Sequence, residues 1–230
     1  MESMDNNEKT RISSRRKFLK RTTAGAILAS LPAASVWGQD SLIAGSIVAS
    51  GTGSDFAGGS SIALLSPGYW KNHTQEWGIV PTTASYYSYT NKKPFGYGTW
   101  GTLMKDSNGD VLSDTDMQNL TLLKILQNPG GGNGEGNIKG KFAGPGNINC
   151  YIAEMILNAA NHGRTVSGQL INFPVLFDSA NVGFGSSNGT SHRGLFPSLN
   201  AFANYLHTSA IGKETAMAQE LEALLNGNHA

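Results

Sequence analysis

Apolar residues recur at helical spacing in four stretches of the chain. Over 114–127 the stripe is Met117, Leu120, Leu123 or Lys124, and Leu126-Gln127; Ser113 with Asp116 resembles a capping arrangement, and Asn128-Pro129-Gly130 stops the run. Over 150–161 the pairs Tyr151-Ile152, Met155-Ile156 and Ala159-Ala160 make a broad apolar face, with Asn149 as N-cap and Gly163 past the end. Pro197 sits in the first turn of a third helix that runs to about His207. A fourth covers 213–225, with Ala216, Leu221, Ala223 and Leu224 as its apolar surface and Gly227 closing it.

Extended pattern is scarce. Residues 102–105 and 111–112 are short strand candidates around Asp106-Ser107-Asn108-Gly109, where Asn-Gly is a strong hairpin signal. Residues 42–48 and 61–65 read as short extended pieces, and 169–177 as an apolar run broken by Pro174. The aromatic stretch 86–100 carries Pro94 and several glycines and reads as a packed loop. Residues 130–146 and 183–194 are Gly-rich connections beyond the usual loop length. The pattern predicts a mainly α protein, a small helical domain with long Gly-rich loops and a short β-hairpin.

Composition narrows the classes. The 230 residues are 39% hydrophobic and 14% charged, too little charge for a disordered polyelectrolyte. The 29 glycines are about twice the usual share but lack a three-residue period, which excludes collagen. One cysteine excludes an internal disulfide framework. The net charge of +1 hides an asymmetry: residues 1–38 hold seven of the 17 Lys/Arg and three of the 16 Asp/Glu, leaving ten against 13 and a net of −3 for the rest. That body lacks the basic field a nucleic-acid partner needs.

The basic start carries a motif. Ser14-Arg15-Arg16-Lys17-Phe18-Leu19-Lys20 resembles the twin-arginine export signal of bacteria, at both arginines, the Phe-Leu pair and the trailing lysine. A modestly apolar, Ala-rich stretch follows over 24–34, too short for a stable membrane span. Cleavage is expected before Gln39, or alternatively after Ala34. The organisation expected is a twin-arginine signal peptide at 1–38, a flexible Gly/Ser/Ala leader at 39–65 and a single helical domain at 66–230. The resemblance implies the export machinery as a partner, carriage in folded form, and a periplasmic or extracellular location.

The densest chemistry begins at Gly68-Tyr69-Trp70-Lys71-Asn72-His73, with Glu76 and Trp77 after it. One or two helical turns would gather two indoles, a phenol and an imidazole on adjoining faces. This hexapeptide with Trp77 resembles the opening of a family of secreted or surface modules of unassigned function. In that family a Leu-rich helical segment follows, here 122–129, and then an Asn-Ala-Ala stretch ending in glycine, here 153–163. The resemblance covers about 66–163 and departs where Leu65 and Ser66 stand in place of a cysteine. It implies an exported module and supplies no chemistry.

Tyr69, Trp70, Lys71, Asn72, His73 and Trp77 are therefore the candidate binding residues. The aromatic band from Tyr69 to Trp100 holds three of the four tryptophans and suits either sugar or protein contact, or the core of a small domain. Asp106, Asn108 and Asp110 are the candidate metal ligands of a weak, irregular calcium site, with a plain hairpin turn as the competing reading. An EF-hand would need Gly and Glu where Val111 and Met117 stand. His73 and Glu76, with His162 and Asp178, are alternative ligands for which the sequence supplies no convergence. Gly185-Ser186-Ser187-Asn188-Gly189 matches a nucleophile elbow in letters, but Asp178, Ser187 and His192 lack its strand-turn-helix setting. Cys150 reads as a buried thiol, or as one activated at a helix start. No convincing catalytic set is legible. The expectation is an exported, non-catalytic structural or interaction module without a cofactor, meeting an envelope protein or glycan. The alternative is a secreted hydrolase or a carbohydrate-binding module using the aromatic and His73 region.

Overall fold

Seven α-helices and one two-stranded hairpin make up the regular structure of residues 62–98, 103–130, 139–173, 175 and 196–228, which the computed structural model describes. These residues all lie in the compact unit Ser41–Ala230. In chain order the helices are α1 (Pro67–Asn72), α2 (Tyr86–Thr90), α3 (Asp114–Gln118), α4 (Leu122–Gln127) and α5 (Ile148–Ala160), then α6 (Leu199–Ala210) and α7 (Glu214–Gly227). Between α5 and α6, strands β1 (Thr165–Val166) and β2 (Gln169–Leu170) pair antiparallel with Thr165 opposite Leu170. The mainly α class read from the sequence is the one observed. No helix among the described residues is long and apolar enough to cross a membrane.

The spine is α5. Every residue in it except Tyr151 is buried, and it packs against α1, α4, α6 and α7. A helix buried on almost all sides must satisfy its polar side chains internally, and three asparagines do so by gripping distant backbone. Asn158 accepts from the N–H of Leu65 (2.8 Å) and donates to the Leu65 carbonyl (2.9 Å). Asn149 does the same to Phe95 (2.9 and 2.8 Å) and also reaches the Phe142 carbonyl. Asn161 donates to the carbonyls of Trp77 and Leu157. Gly144 must be glycine: at φ +71° a Cβ would stand 2.7 Å from the Asn149 amide and 2.9 Å from the Phe95 carbonyl.

Several boundaries differ from the sequence reading. The helix expected over 114–127 is two helices. Ser113 and Asp116 do form a capping box on α3, yet Leu120 gives its carbonyl to the Tyr86 N–H, and the Leu122 N–H goes to Ala84. That pairing breaks the helix, and Thr121 caps the restart. The same contact starts α2, capped by Ser85, inside the stretch read as packed loop. Asn149 is a core clamp rather than an N-cap; α5 begins after Asn147, which holds the left-handed conformation at φ +67°. Ser198 rather than Pro197 opens α6, with its side chain accepting from the Ala201 N–H.

The hairpin read at 102–112 is reduced, among the described residues, to the single bridge Lys105–Val111. The paired strands form instead around Ser167-Gly168, both at positive φ, as a two-residue turn of this kind requires. Leu64 and Leu65 are fully buried, and Ala63 pairs with Asn172, so the packed body reaches back into the segment read as leader. Arg15, Arg16, the extended piece at 42–48, Trp100, Asp178, Ser187 and His192 lie outside the described residues.

Candidate functional site

Ser66 fixes the start of the motif. Its side chain accepts from the Tyr69 N–H, and Pro67 occupies the first helical position, where no N–H is needed. The helix then stops early, because His73 adopts φ −121°, ψ 52°. Asn72 folds back to donate to the Gly68 carbonyl at 3.0 Å. A single turn of 3₁₀ helix, Thr74–Glu76, follows. The expected continuous helix is thus broken, and the break sorts the motif into three destinations.

Trp70 and Trp77 go to the core, exposed by 0% and 1%. Tyr69 and His73 stay half-buried and stack, with centroids 4.0 Å apart and planes 9° apart. His73 Nδ1 lies 2.9 Å from the Tyr69 carbonyl; a carbonyl only accepts, so Nδ1 is the donor of this bond. Lys71 lines a separate cavity of about 200 Å³ with Pro67, Gly68, Leu126, Cys150 and Tyr151.

Glu76 is the hub of the half-exposed group. Tyr69 Oη donates to its carboxylate, and so does Ser167 Oγ, at 3.0 and 3.3 Å to the two oxygens. These hydrogen bonds, Tyr69's foremost, hold the Glu76 carboxyl below its ordinary range, with His73 and Arg164 adding favourable charge. Arg164 in turn donates to Asn161 Oδ1. Gly78 holds φ +65°, a left-handed conformation that favours glycine, beside the side chains of Asn161 and Arg164.

A carboxylate held low is a weak base, and Ser167 spends its proton on that carboxylate rather than on an imidazole. His162, the other histidine considered, accepts the Phe173 N–H at Nδ1. No three His, Cys, Asp or Glu groups among the described residues are placed to share a metal ion. Asp106 Oδ1 accepts from the N–H groups of Asn108, Gly109 and Asp110 at 2.8–2.9 Å, which lowers its carboxyl and makes it the organiser of its own turn. Lys139 lies over that turn at Gly109. The Cys150 thiol is buried, donates to the Ile125 carbonyl at 3.3 Å and is pushed up to about 12, so the helix start does not activate it.

Two groups escaped the sequence reading. Ser167 is reached only through the turn of the β1–β2 hairpin. His207 in α6 bonds the Tyr86 hydroxyl at 2.9 Å, stacks on Phe95 at 4.1 Å and is pushed down to about 4 by burial. Neither lies in a recognisable motif; a histidine on an otherwise apolar helical face was the one available signal. No protein-family model, curated protein or solved structure matches the chain.

Proposed function

We propose that the chain is exported through the twin-arginine route and serves outside the cytoplasm as a non-catalytic structural or interaction module. One observation carries the non-catalytic part: the polar groups of the best candidate constellation are committed to one another. Tyr69 and Ser167 donate to Glu76, His73 and Asn72 bond the backbone of their own turn, and both indoles are buried. Ile79 and Leu170, in the segments that bring Glu76 and Ser167 together, remain 52% and 57% exposed and offer apolar contact beside this face.

Two measurements test the proposal. Arg15→Lys with Arg16→Lys should hold the precursor in the cytoplasm; unchanged appearance of the processed form in the periplasmic fraction refutes the route. The purified exported chain should co-sediment with isolated envelope, and Ile79→Ser with Leu170→Ser should weaken that without moving the melting temperature. Turnover of an ester or glycoside that is lost in His73→Ala would establish the hydrolase instead.

A further inference from the structure

Glu154 stands at the middle of α5, one turn from Cys150 and one turn from Asn158. It is 0% exposed, and neither carboxyl oxygen has a hydrogen-bond partner. The polar residues of the helix and its C-cap make the contrast plain. Asn149, Asn158 and Asn161 are equally buried, and each is bonded to distant backbone. Cys150 bonds the Ile125 carbonyl.

Neither carboxyl oxygen of Glu154 is bonded to an ionisable group. Within its own helix its charge acts on Cys150 and Tyr151. Among the ionisable groups of the helices packed on α5, Lys71 in α1 acts on Cys150 and Glu222 in α7 acts on Tyr151. Lys124 in α4 is placed over the Phe142 ring, and His207 in α6 is engaged with Tyr86. An ionised carboxylate in this position would have no counter-charge and no donor.

We propose that the folded protein carries Glu154 as the neutral acid, and that its ionisation is a built-in trigger that loosens the helical core as pH rises. Burial holds the carboxyl well above the ordinary value of 4.5. The sign follows from proton counting. Above 4.5 the unfolded chain has released this proton while the folded chain retains it, so stability falls with pH, about tenfold in the folding constant per unit, until the folded form also ionises. Below 4.5 the effect is absent. Because α5 touches α1, α4, α6 and α7, a charge at its centre acts on the whole packing.

The test is denaturant unfolding of the full chain, wild type and Glu154→Gln, at a series of pH values from roughly 5 to 9. Gln keeps the shape and cannot ionise, so the ratio of the two folding constants isolates Glu154 from every other titrating group. The ratio of wild type to variant should fall about tenfold per unit over the lower part of that range. A ratio independent of pH overturns the proposal. Should Glu154→Gln not fold, infrared spectroscopy of the wild type decides. A protonated-carboxyl carbonyl band in the folded protein at neutral pH, abolished on unfolding, supports it. The absence of that band means an ionised Glu154 and overturns it.

Discussion

Trp77 donates its indole N–H to the backbone carbonyl of Trp70 at 2.8 Å, across the end of the helix at His73. The last carbonyls of a helix have no partner within it. Here one of them is satisfied by a side chain seven residues on, and both rings enter the core in doing so. The tryptophans of the motif therefore terminate α1 and fill the space beneath it at once.

Truncating either ring should be severe. Trp70→Ala is expected to cost about 3–5 kcal/mol, within reach of the whole stability of a small domain, and the Trp70/Trp77 double variant should not fold. Trp77→Phe removes the donor and part of the ring volume, and should cost about 1–3 kcal/mol, less than alanine at either position. Lys71→Ala should cost little. Thermal melts with near-ultraviolet dichroism check this order; a Trp70→Ala protein melting with the wild type would contradict the burial.

Asn158 substitutes for a strand partner of Leu65. Asn158→Ala leaves a buried N–H and a buried carbonyl unpaired, at about 1–3 kcal/mol for each group. Hydrogen exchange should report it locally. The Leu65 amide should lose protection first, while amides in α7 change only with the global stability.

His207 gives the pH profile an acid limb. Its folded value of about 4 lies below the ordinary 6.5. Between these values the unfolded chain binds a proton that the folded chain refuses, so its contribution is lost as pH falls from 6.5 toward 4. In His207→Leu this limb should vanish, and the difference from wild type should grow with acidity over that window. Parallel curves would mean that His207 titrates normally in the folded protein.

At the surface, Tyr69→Phe should raise the Glu76 carboxyl toward its ordinary value, read directly by carboxyl NMR titration. A folded value held low stabilises above the unfolded value and is lost as pH falls through the folded one, so this variant should be less sensitive to acid.

Metal should be dispensable. The Asp106 carboxylate already serves three backbone N–H groups. Melting should be unmoved by chelator or by added calcium, whereas a tightly bound folding metal would shift it by many degrees.

Local periodicity determined what local physics controls. The apolar faces of α5 and α7, the capping box at Ser113 and the turn around Asp106 follow from 3.6-residue spacing and from side chains bonding backbone within a few residues. They were legible for that reason. Tertiary contacts decided the rest. The helix over 114–127 broke because the Tyr86 N–H, far away in the chain, claimed the Leu120 carbonyl. Asn149 reads as a cap and Asn158 carries no signal of its own, yet they bond segments 54 and 93 residues away. The Glu76 group needs Ser167, 91 residues on, delivered by a hairpin whose strands are two residues long. Hydrophobic pattern says which face of an element is buried, but not which buried backbone groups still lack partners. That depends on where distant segments come to rest, and it is where the polar residues of this chain find their roles.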